Sequence, residues 1–318
     1  MTRIYFASSI EQDMVALSHA IKVMRPGRKA VTRMLCSYHY FGRTDFEDLV
    51  KRRAGSNVDL FVDSGGFSAF TKGAEIKLAD YVGFLKRWEP VITTYAVLDD
   101  LKDPVKTWEN QQRMEDAGLR PLPCWHVGEP LEFLERYVER YAYVAIGGMV
   151  PYLRTPTKLM PHLVRAFKVA RGRTVFHGFG ATSWRIASML PWYSVDSSTW
   201  TIGPRFGLAD FFNVHAGKFE QVPLGDREAW AKRAPAVRKM GMDPEPFANF
   251  ARGQTITVEM RNNLLQIIAL GYMEAEGWLT RRHGVISIPT REGGTHEQSG
   301  GDHQRRPRLR SIGAPSGG

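Results

Sequence analysis

Residues 142–180 read AYVAIGGMVPYLRTPTKLMPHLVRAFKVARGRTVFHGFG, and this stretch contains one complete strand–helix–strand unit. β-rich runs at 142–147 and 174–180 stand on either side of a helical stretch at 157–170. The helical stretch places three large apolar residues on one face: Leu159, Leu163 and Phe167. The pattern predicts one βαβ repeat, with the apolar helix face packed on a sheet.

The same alternation occupies the first 200 residues or so. Eight β-rich runs occur, at 3–7, 32–37, 58–63, 93–99, 121–127, 142–147, 174–180 and 193–196. Helical stretches lie between them, and the one at 103–117 has Asp103 as a helix N-cap and Pro104 at the first helical position. Eight strands in alternation with helices predict an α/β fold of the TIM type, a (β/α)8 barrel. An open doubly wound sheet is the alternative.

The chain after the eighth strand predicts a helical C-terminal extension. Residues 210–224 indicate an irregular segment or a hairpin, 226–240 a basic helix, and 257–279 the last barrel helix. Residues 284–318 are rich in Gly, Ser, Pro, Arg and His, so burial of apolar side chains cannot offset the entropy of ordering them. We therefore expect one barrel domain at 1–283 and a disordered basic tail.

The composition indicates a globular protein in a reducing compartment. Of 318 residues, 43% are hydrophobic and 24% are charged. No apolar run approaches the ~18 residues that span a bilayer, so we expect no membrane partner and a cytoplasmic location, which is the host cytoplasm if a phage encodes the chain. The two cysteines cannot form a disulfide framework.

The net charge of +10 makes nucleic acid a plausible partner. Lysine and arginine neutralise phosphates, although the same charge also serves solubility alone. Charge by itself leaves these two explanations equal, and the motifs must decide between them.

Polar residues and glycines cluster where the predicted strands end. In order they are Asp63, Ser64, Gly65, Gly66 and Phe67; Asp99 and Asp100; Trp125 and His126; Gly147, Gly148 and Met149; His177, Gly178, Phe179 and Gly180; and Asp196, Ser197 and Ser198. Active sites of such barrels lie at the C-terminal ends of the strands. The sequence therefore predicts one mouth lined by carboxylates, two histidines and glycine turns.

These residues permit several kinds of chemistry. Two carboxylates on different strands suit double displacement at a sugar carbon, and a third accepts N–H groups from a guanine-like ring. Taken singly, each aspartate after a strand is more typical of a helix cap than of a functional site. Each histidine is equally typical of a buried core and of a site. Gly178 and Gly180 do not complete a dinucleotide fingerprint. Cys124 and His126 lack a soft third ligand, so we expect no metal.

Five motifs occur in order at 63–200. They are DSGGF at 63–67, VLDD at 97–100, AIGGM at 145–149, HGFG at 177–180 and SVD at 194–196. The set resembles the DSGGF motif, acidic base-recognition turn, AIGGL turn, HYLMGVG segment and final FD motif of the tRNA-guanine transglycosylases. Relatives of that family insert 7-deazaguanines into DNA.

The resemblance implies a pentosyltransferase that needs no cofactor. Asp196 would attack C1′ of a guanosine nucleotide, and Asp63 would act as general acid/base. Asp99 or Asp100 would hold the incoming 7-deazaguanine with the backbone of Gly147 and Gly148. The other residues implied to bind the base are Ser64, Gly65, Gly66, Phe67, His126, His177, Gly178 and Gly180. Trp125, Phe67 or Phe179 would stack on the base.

Two departures from the family's pattern bear on the polymer substrate. The Cys/His zinc subdomain is absent, and Ser197-Ser198-Thr199-Trp200 stands where a basic Pro-Thr-Arg stretch normally follows the nucleophile. A compact basic chain of this kind resembles the phage-type branch that acts on DNA, and its oligomeric state is not indicated. The same exchange on tRNA remains an alternative, as does a non-catalytic nucleic-acid-binding barrel. A further alternative is a metal-dependent hydrolase that uses the following residues: Asp63, Asp99, His126, His177 and Asp196.

Overall fold

A computed structural model describes residues 2–24, 31–54, 57–152, 155–181 and 183–290. Within these ranges the chain is an α/β fold built on an eight-stranded parallel sheet. The strands are β1 (Arg3–Ser8), β2 (Val31–Ser37), β3 (Asn57–Asp63), β4 (Thr94–Tyr95), β5 (Cys124–His126), β6 (Tyr143–Gly147), β7 (Val175–Gly178) and β8 (Ser194–Ser197). They lie in the order β4-β3-β2-β1-β8-β7-β6-β5, which confirms the predicted alternation.

Helices follow most of the strands. They are α1 (Glu11–Met24), α2 (Tyr38–Phe41), α3 (Gly66–Thr71), α4 (Leu78–Trp88), α5 (Pro104–Asp116), α6 (Leu131–Arg140), α7 (Pro156–Ala170), α8 (Trp184–Met189), α9 (Arg227–Lys239), α10 (Glu245–Ala248) and α11 (Val258–His283). The predicted start of α5 is confirmed, since the Asp103 carboxylate accepts hydrogen bonds from the N–H groups of Val105 and Lys106. In α7, Leu159 and Leu163 are fully buried, as the apolar spacing predicts.

The sheet is strongly curled. Phe61 on β3 and His177 on β7 have ring centroids 4.7 Å apart, although β2, β1 and β8 lie between these two strands. The two side chains therefore meet across the concave face. This curl brings strand ends that are distant in the sheet order to one mouth.

The edge strands β4 and β5 do not pair as a ladder in the described structure. One isolated parallel bridge joins Ala96 to Leu122, and the Leu122 N–H donates to the Tyr95 carbonyl at 2.8 Å. Both predicted strands, 93–99 and 121–127, are thus longer than the observed ones. Pro121 and Pro123 explain part of this, because neither has an N–H group to donate to a ladder.

The extension contains an antiparallel hairpin of β9 (Leu208–Asn213) and β10 (Lys218–Pro223), which settles the choice left open for 210–224. Helix α11 packs on α1 and on β9, so it takes the place of the last barrel helix. After α11, Ile286 and Ile288 pack against the core that contains Phe61 and Leu60. The predicted tail from 291 onward lies outside the described residues.

Among the described residues, none of the helices combines the length and the apolar character needed to cross a membrane.

Candidate active site

Three aspartates meet at the carboxyl edge of the sheet. Asp63 is the last residue of β3, Asp196 lies in β8, and Asp99 follows β4 in the connection to α5. The charges of Asp99 and Asp196 both act on Asp63, which places the three carboxylates within electrostatic reach of one another. The sequence prediction that these residues share one mouth agrees with this arrangement.

Asp63 is held in its acid form. Burial, followed by the nearby charges of Asp99 and Asp196, raises the pKa of Asp63 from an ordinary 3.8 to about 8. Hydrogen bonds from the backbone N–H groups of Gly65 and Ser64 oppose this shift without cancelling it. At neutral pH the group therefore has a proton to donate.

Asp99 is held as an anion. Its Oδ1 accepts a hydrogen bond from the Ser64 hydroxyl at 2.8 Å, and its Oδ2 lies 2.8 Å from His126 Nε2. Burial alone would raise the pKa of Asp99, but the hydrogen bond and charge of His126, together with Ser64, bring it below its ordinary value. Asp63 and Asp99 thus carry opposite protonation states at neutral pH.

His126 is clamped between two carboxylates. Its Nε2 faces Asp99, and its Nδ1 lies 2.8 Å from Glu129 Oε1. Burial disfavours a charged imidazole, yet Cys124, Asp99 and Glu129 around the ring raise the pKa of His126 well above its ordinary value. We attribute the stabilisation to the carboxylates, because burial raises the pKa of Cys124 to about 11 and leaves its thiol neutral. The imidazolium donates to both carboxylates and fixes their positions.

Glu129 was not among the residues singled out from the sequence. It lies in the turn between β5 and α6, where its second carboxylate oxygen also accepts the backbone N–H of His126 at 3.0 Å. The sequence signal for this contact was a carboxylate three residues after a histidine, with Gly128 between them. In the structure Gly128 adopts a positive φ, which allows the tight turn.

Asp100 lies apart from the other carboxylates. Its side chain accepts hydrogen bonds from the N–H groups of Lys102 and Asp103 and pairs with the Lys106 ammonium at 3.0 Å. The sequence left Asp99 and Asp100 as equal candidates for base recognition. The structure places Asp99 at the mouth and gives Asp100 the role of ordering the start of α5.

Asp196 is fixed through one oxygen. Its Oδ1 accepts the N–H of Gly180 at 2.8 Å and lies 3.3 Å from His177 Nε2. No hydrogen bond to Oδ2 occurs within the described part of the chain. Asp196 is only 7% exposed, so a substrate must enter the mouth to reach it.

His177 is fully buried rather than open to the mouth. It packs among the rings of Tyr5, Phe61 and Phe179. Burial lowers the pKa of His177 below its ordinary value, and the neighbouring Asp196 opposes only part of that shift. A neutral imidazole behind Asp196 is the result.

Two of the predicted glycine turns bring backbone against a side chain. A Cβ on Gly147 would lie 2.7 Å from Cδ2 of His126, and one on Gly65 would lie 2.2 Å from the Ser37 hydroxyl. Gly65 also has a φ of +78°. Gly178 is different, because a Cβ there would meet Trp192 and not the carboxylates.

The aromatic candidates for stacking differ in their accessibility. Phe67, one residue after the DSGG turn, is 46% exposed. Trp125 is buried in the core beside Leu134 and Ile146, so it is not available to a base. Phe179 packs on His177 and Phe61 and is partly exposed.

Asp99, Cys124 and His126 form the group of potential metal ligands found among the described residues, with ligand atoms within 4.8 Å of one another. The third member is a carboxylate, which the sequence had not associated with the Cys124–His126 pair. Each of the three is already in contact with another, so a metal would replace the present hydrogen bonds.

A scan against known protein families finds no matching family model. No curated protein matches the chain either.

Proposed function

We propose that the chain is a base-exchange glycosyltransferase that replaces guanine in DNA with a 7-deazaguanine. The observation that carries the proposal is the split protonation of the aspartates at one mouth, with Asp63 an acid and Asp99 an anion beside Asp196. Double displacement at a sugar carbon requires a carboxylate nucleophile and a separate group that is protonated at neutral pH. The resemblance to the transglycosylases assigns these roles to Asp196 and Asp63.

The first displacement uses both aspartates. Asp196 attacks C1′, the bond from C1′ to the base nitrogen breaks, and the departing guanine takes the proton of Asp63. In the second displacement Asp63 removes the ring proton of the incoming base, whose nitrogen then attacks C1′ and releases Asp196. Two inversions give net retention at the sugar.

Asp99 is suited to read the base edge. A carboxylate that His126 and Ser64 keep ionised is an acceptor only, and guanine presents two donors side by side, its ring N–H and its amino group. The resemblance assigns the carbonyl oxygen of the base to the backbone of Gly147 and Gly148, and the Cα atoms of both glycines lie close to His126. Phe67 is exposed and free to stack on the ring.

The body of the protein provides the charge for a polymer substrate. The net charge is +10, which favours phosphate backbones in general. Ser197-Ser198-Thr199-Trp200 stands where the tRNA enzymes that the chain resembles have a basic Pro-Thr-Arg stretch after the nucleophile, so we favour DNA. We also propose that the bridge between Ala96 and Leu122 closes the sheet into a (β/α)8 barrel. If so, the backbone amide of Leu122 should exchange its hydrogen slowly with solvent.

Incubation with radiolabelled guanine and duplex DNA, single-stranded DNA or tRNA tests the proposal. We expect label to enter DNA without added cofactor, and Asp196→Ala to abolish incorporation while the melting temperature is preserved. Label that enters only tRNA would support the base-exchange reaction but show that tRNA, not DNA, is the polymer substrate. Nucleic-acid binding without incorporation into any polymer would indicate the non-catalytic barrel and overturn the proposal.

A second candidate function is metal-dependent hydrolysis, and the grouping of Asp99, Cys124 and His126 favours it. Glu129 contacts Nδ1 of His126, the ring nitrogen that faces away from Asp99, and such a carboxylate behind a histidine is typical of metal sites. Metal analysis of the purified protein separates the two functions: stoichiometric zinc that a chelator removes with loss of activity would support hydrolysis.

A further inference from the structure

Behind Asp196, a line of buried polar groups crosses three neighbouring strands. The Tyr143 hydroxyl on β6 lies 2.6 Å from the Ser194 hydroxyl on β8. The Ser194 hydroxyl lies 2.7 Å from Nδ1 of His177 on β7. His177 Nε2 lies 3.3 Å from Asp196 Oδ1, but no described residue forms a hydrogen bond of good geometry with this buried nitrogen.

The hydrogen bonds in this line are all donated in the same direction, from Tyr143 toward Asp196. A neutral imidazole carries one N–H, and Ser194 has one hydroxyl proton to give. If Ser194 donates to Nδ1, then Nε2 carries the ring proton next to Asp196, while Tyr143 donates to Ser194. In the opposite tautomer, a bare Nε2 lone pair would face the carboxylate, and two acceptors would stand opposed in a buried site.

We propose that His177, oriented by Ser194 and Tyr143, is a positioning residue that fixes Asp196 Oδ1 and leaves Oδ2 as the attacking oxygen. This rests on the proposed function of Asp196 as nucleophile. Gly180 N–H then donates to Oδ1 at 2.8 Å, and the Nε2–H group of His177 lies 3.3 Å from the same oxygen and attracts it electrostatically. Within the described structure Oδ2 has no hydrogen-bond donor. A carboxylate held by one oxygen presents the other in a fixed orientation.

The assignment is consistent with both displacements. As Oδ2 forms its bond to C1′, the electron pair of the breaking C1′–N bond leaves with the guanine, which takes the Asp63 proton. Oδ1 then becomes the carbonyl oxygen of the aspartyl ester and keeps the Gly180 N–H as a donor, with the His177 N–H beside it. In the second displacement the same two groups stabilise the carboxylate as it leaves.

The tautomer of His177 is measured directly by nitrogen NMR of protein labelled with ¹⁵N-histidine. The His177 signals are assigned by their loss in the His177→Phe variant, which keeps an aromatic ring among Tyr5, Phe61 and Phe179. We expect a protonated Nε2 and an unprotonated Nδ1 throughout pH 6 to 8. A proton on Nδ1, or an imidazolium, in that range would overturn the proposal whether or not the protein exchanges bases.

The kinetic test removes the orienting hydroxyl. In Ser194→Ala, the rate of covalent adduct formation in a single turnover is expected to fall about ten- to a hundredfold, as for outer-shell partners of reacting groups, with KM for the free base unchanged. Ser18→Ala is the matched control, because Ser18 is equally buried and donates to the Ala54 carbonyl, away from the mouth. The control should form adduct at the wild-type rate.

A well-folded Ser194→Ala protein whose adduct forms within twofold of the wild-type rate would contradict the positioning role. If that variant does not fold, Tyr143→Phe removes only the outer donor and should slow adduct formation in the same direction, and an unchanged rate there would contradict the role equally. Failure of the wild-type protein to form any adduct would instead contradict the proposed function. The NMR measurement of the His177 tautomer does not depend on adduct formation, so the two failures can be told apart.

Discussion

Three carboxylates at one mouth cannot all ionise at neutral pH at a low energetic cost, and the neighbours of each decide which one keeps a proton. Asp99 has the imidazolium of His126 and the hydroxyl of Ser64. Asp196 has the N–H of Gly180. Asp63 has two backbone N–H groups, from Gly65 and Ser64, and these do not outweigh burial and two negative neighbours, so it retains its proton. The division of roles between acid and nucleophile follows from these partners.

Asp63→Asn is expected to slow exchange about 10²- to 10⁴-fold, the usual contribution of general acid/base catalysis, while the fold is retained. Asparagine preserves the shape of the side chain but has no proton to transfer. Asp226→Asn is the matched control, since Asp226 caps α9 by accepting the Ala229 N–H and asparagine caps equally well. Exchange rate and melting temperature are measured together; a stable Asp63→Asn protein with near-normal exchange would refute the acid/base role.

The raised pKa of Asp63 also predicts how stability changes with pH. The folded state holds the proton of Asp63 up to about pH 8, whereas the unfolded chain releases it near 3.8. The folded state therefore binds more protons between these values, and the stability contributed by this group is lost as pH rises through that window. Between pH 5 and 8 the melting temperature of the wild-type protein should fall relative to that of Asp63→Asn. If the melting temperatures of the two proteins change in parallel between pH 5 and 8, the raised pKa of Asp63 would be contradicted.

Asp99→Asn and Asp100→Asn form a matched pair of neighbouring substitutions. The first removes the charge that His126 stabilises, so KM for the base should rise at least tenfold and exchange should fall. The second removes an ion pair with Lys106 at the protein surface, where such pairs contribute little. Steady-state exchange at several base concentrations distinguishes them, and equal effects of the two substitutions would contradict the assignment of Asp99.

At the scale of elements, the carboxylates are positioned by tight turns that directly follow strands. The turn after β3 shows this most clearly. Gly65 adopts a φ of +78° and brings the backbone against Ser37, the last residue of β2, and His39 in α2. The turn thereby sets Asp63 and Ser64 against Asp99.

Gly65→Ala tests this turn, with Gly73→Ala as its control. Both glycines have a positive φ, so both variants incur the cost of about 1–2 kcal/mol for a side chain in that region. Only the Cβ at position 65 meets neighbouring atoms, at 2.2 and 2.6 Å, whereas a Cβ at position 73 has open space. Gly65→Ala should therefore lose much more stability and exchange activity than Gly73→Ala. Equal melting temperatures would contradict the close approach.

Local patterns predicted the elements well. The cap of α5 and the apolar face of α7 depend on residues close in sequence, and both predictions are confirmed. For 210–224 the sequence left an irregular segment and a hairpin open, and the structure shows the hairpin. The predicted lengths of β4 and β5 were too long. The apolar sequence continues beyond the residues that pair, and Pro121 and Pro123 interrupt the hydrogen-bond ladder. Other features depend on the direction in which side chains point. These are the separation of Asp99 from Asp100, the contact of Glu129 with His126, and the line of polar groups from Tyr143 to Asp196. Sequence spacing alone did not predict them.

At the scale of the whole molecule, the positive charge belongs mainly to the described body. Residues 291–318 contain five arginines, two glutamates and one aspartate, a net of +2, so +8 of the total +10 remains without them. Residues 284–290 belong with the body, since Ile286 and Ile288 pack on the core. The basic character therefore does not depend on the tail.

Binding to DNA is expected to weaken steeply with salt, because lysine and arginine residues that neutralise phosphates release counterions. A protein that ends at Thr290 should show nearly the same slope of log affinity against log salt as the full chain. Fluorescence anisotropy of a labelled duplex between 50 and 300 mM salt measures both. A flat response of the full chain would contradict electrostatic docking, and a large loss of slope on truncation would assign the docking to the tail.

The central claim is that Asp196 forms a covalent bond to a sugar of the nucleic acid as guanine leaves. The most direct measurement is mass spectrometry of peptides from the protein after a denaturing quench with guanine-containing DNA and no free base. The account predicts a nucleotide adduct on the peptide that contains Asp196, one guanine released per adduct, and no adduct in Asp196→Ala. An adduct at another residue, or base exchange that proceeds in Asp196→Ala, would contradict it.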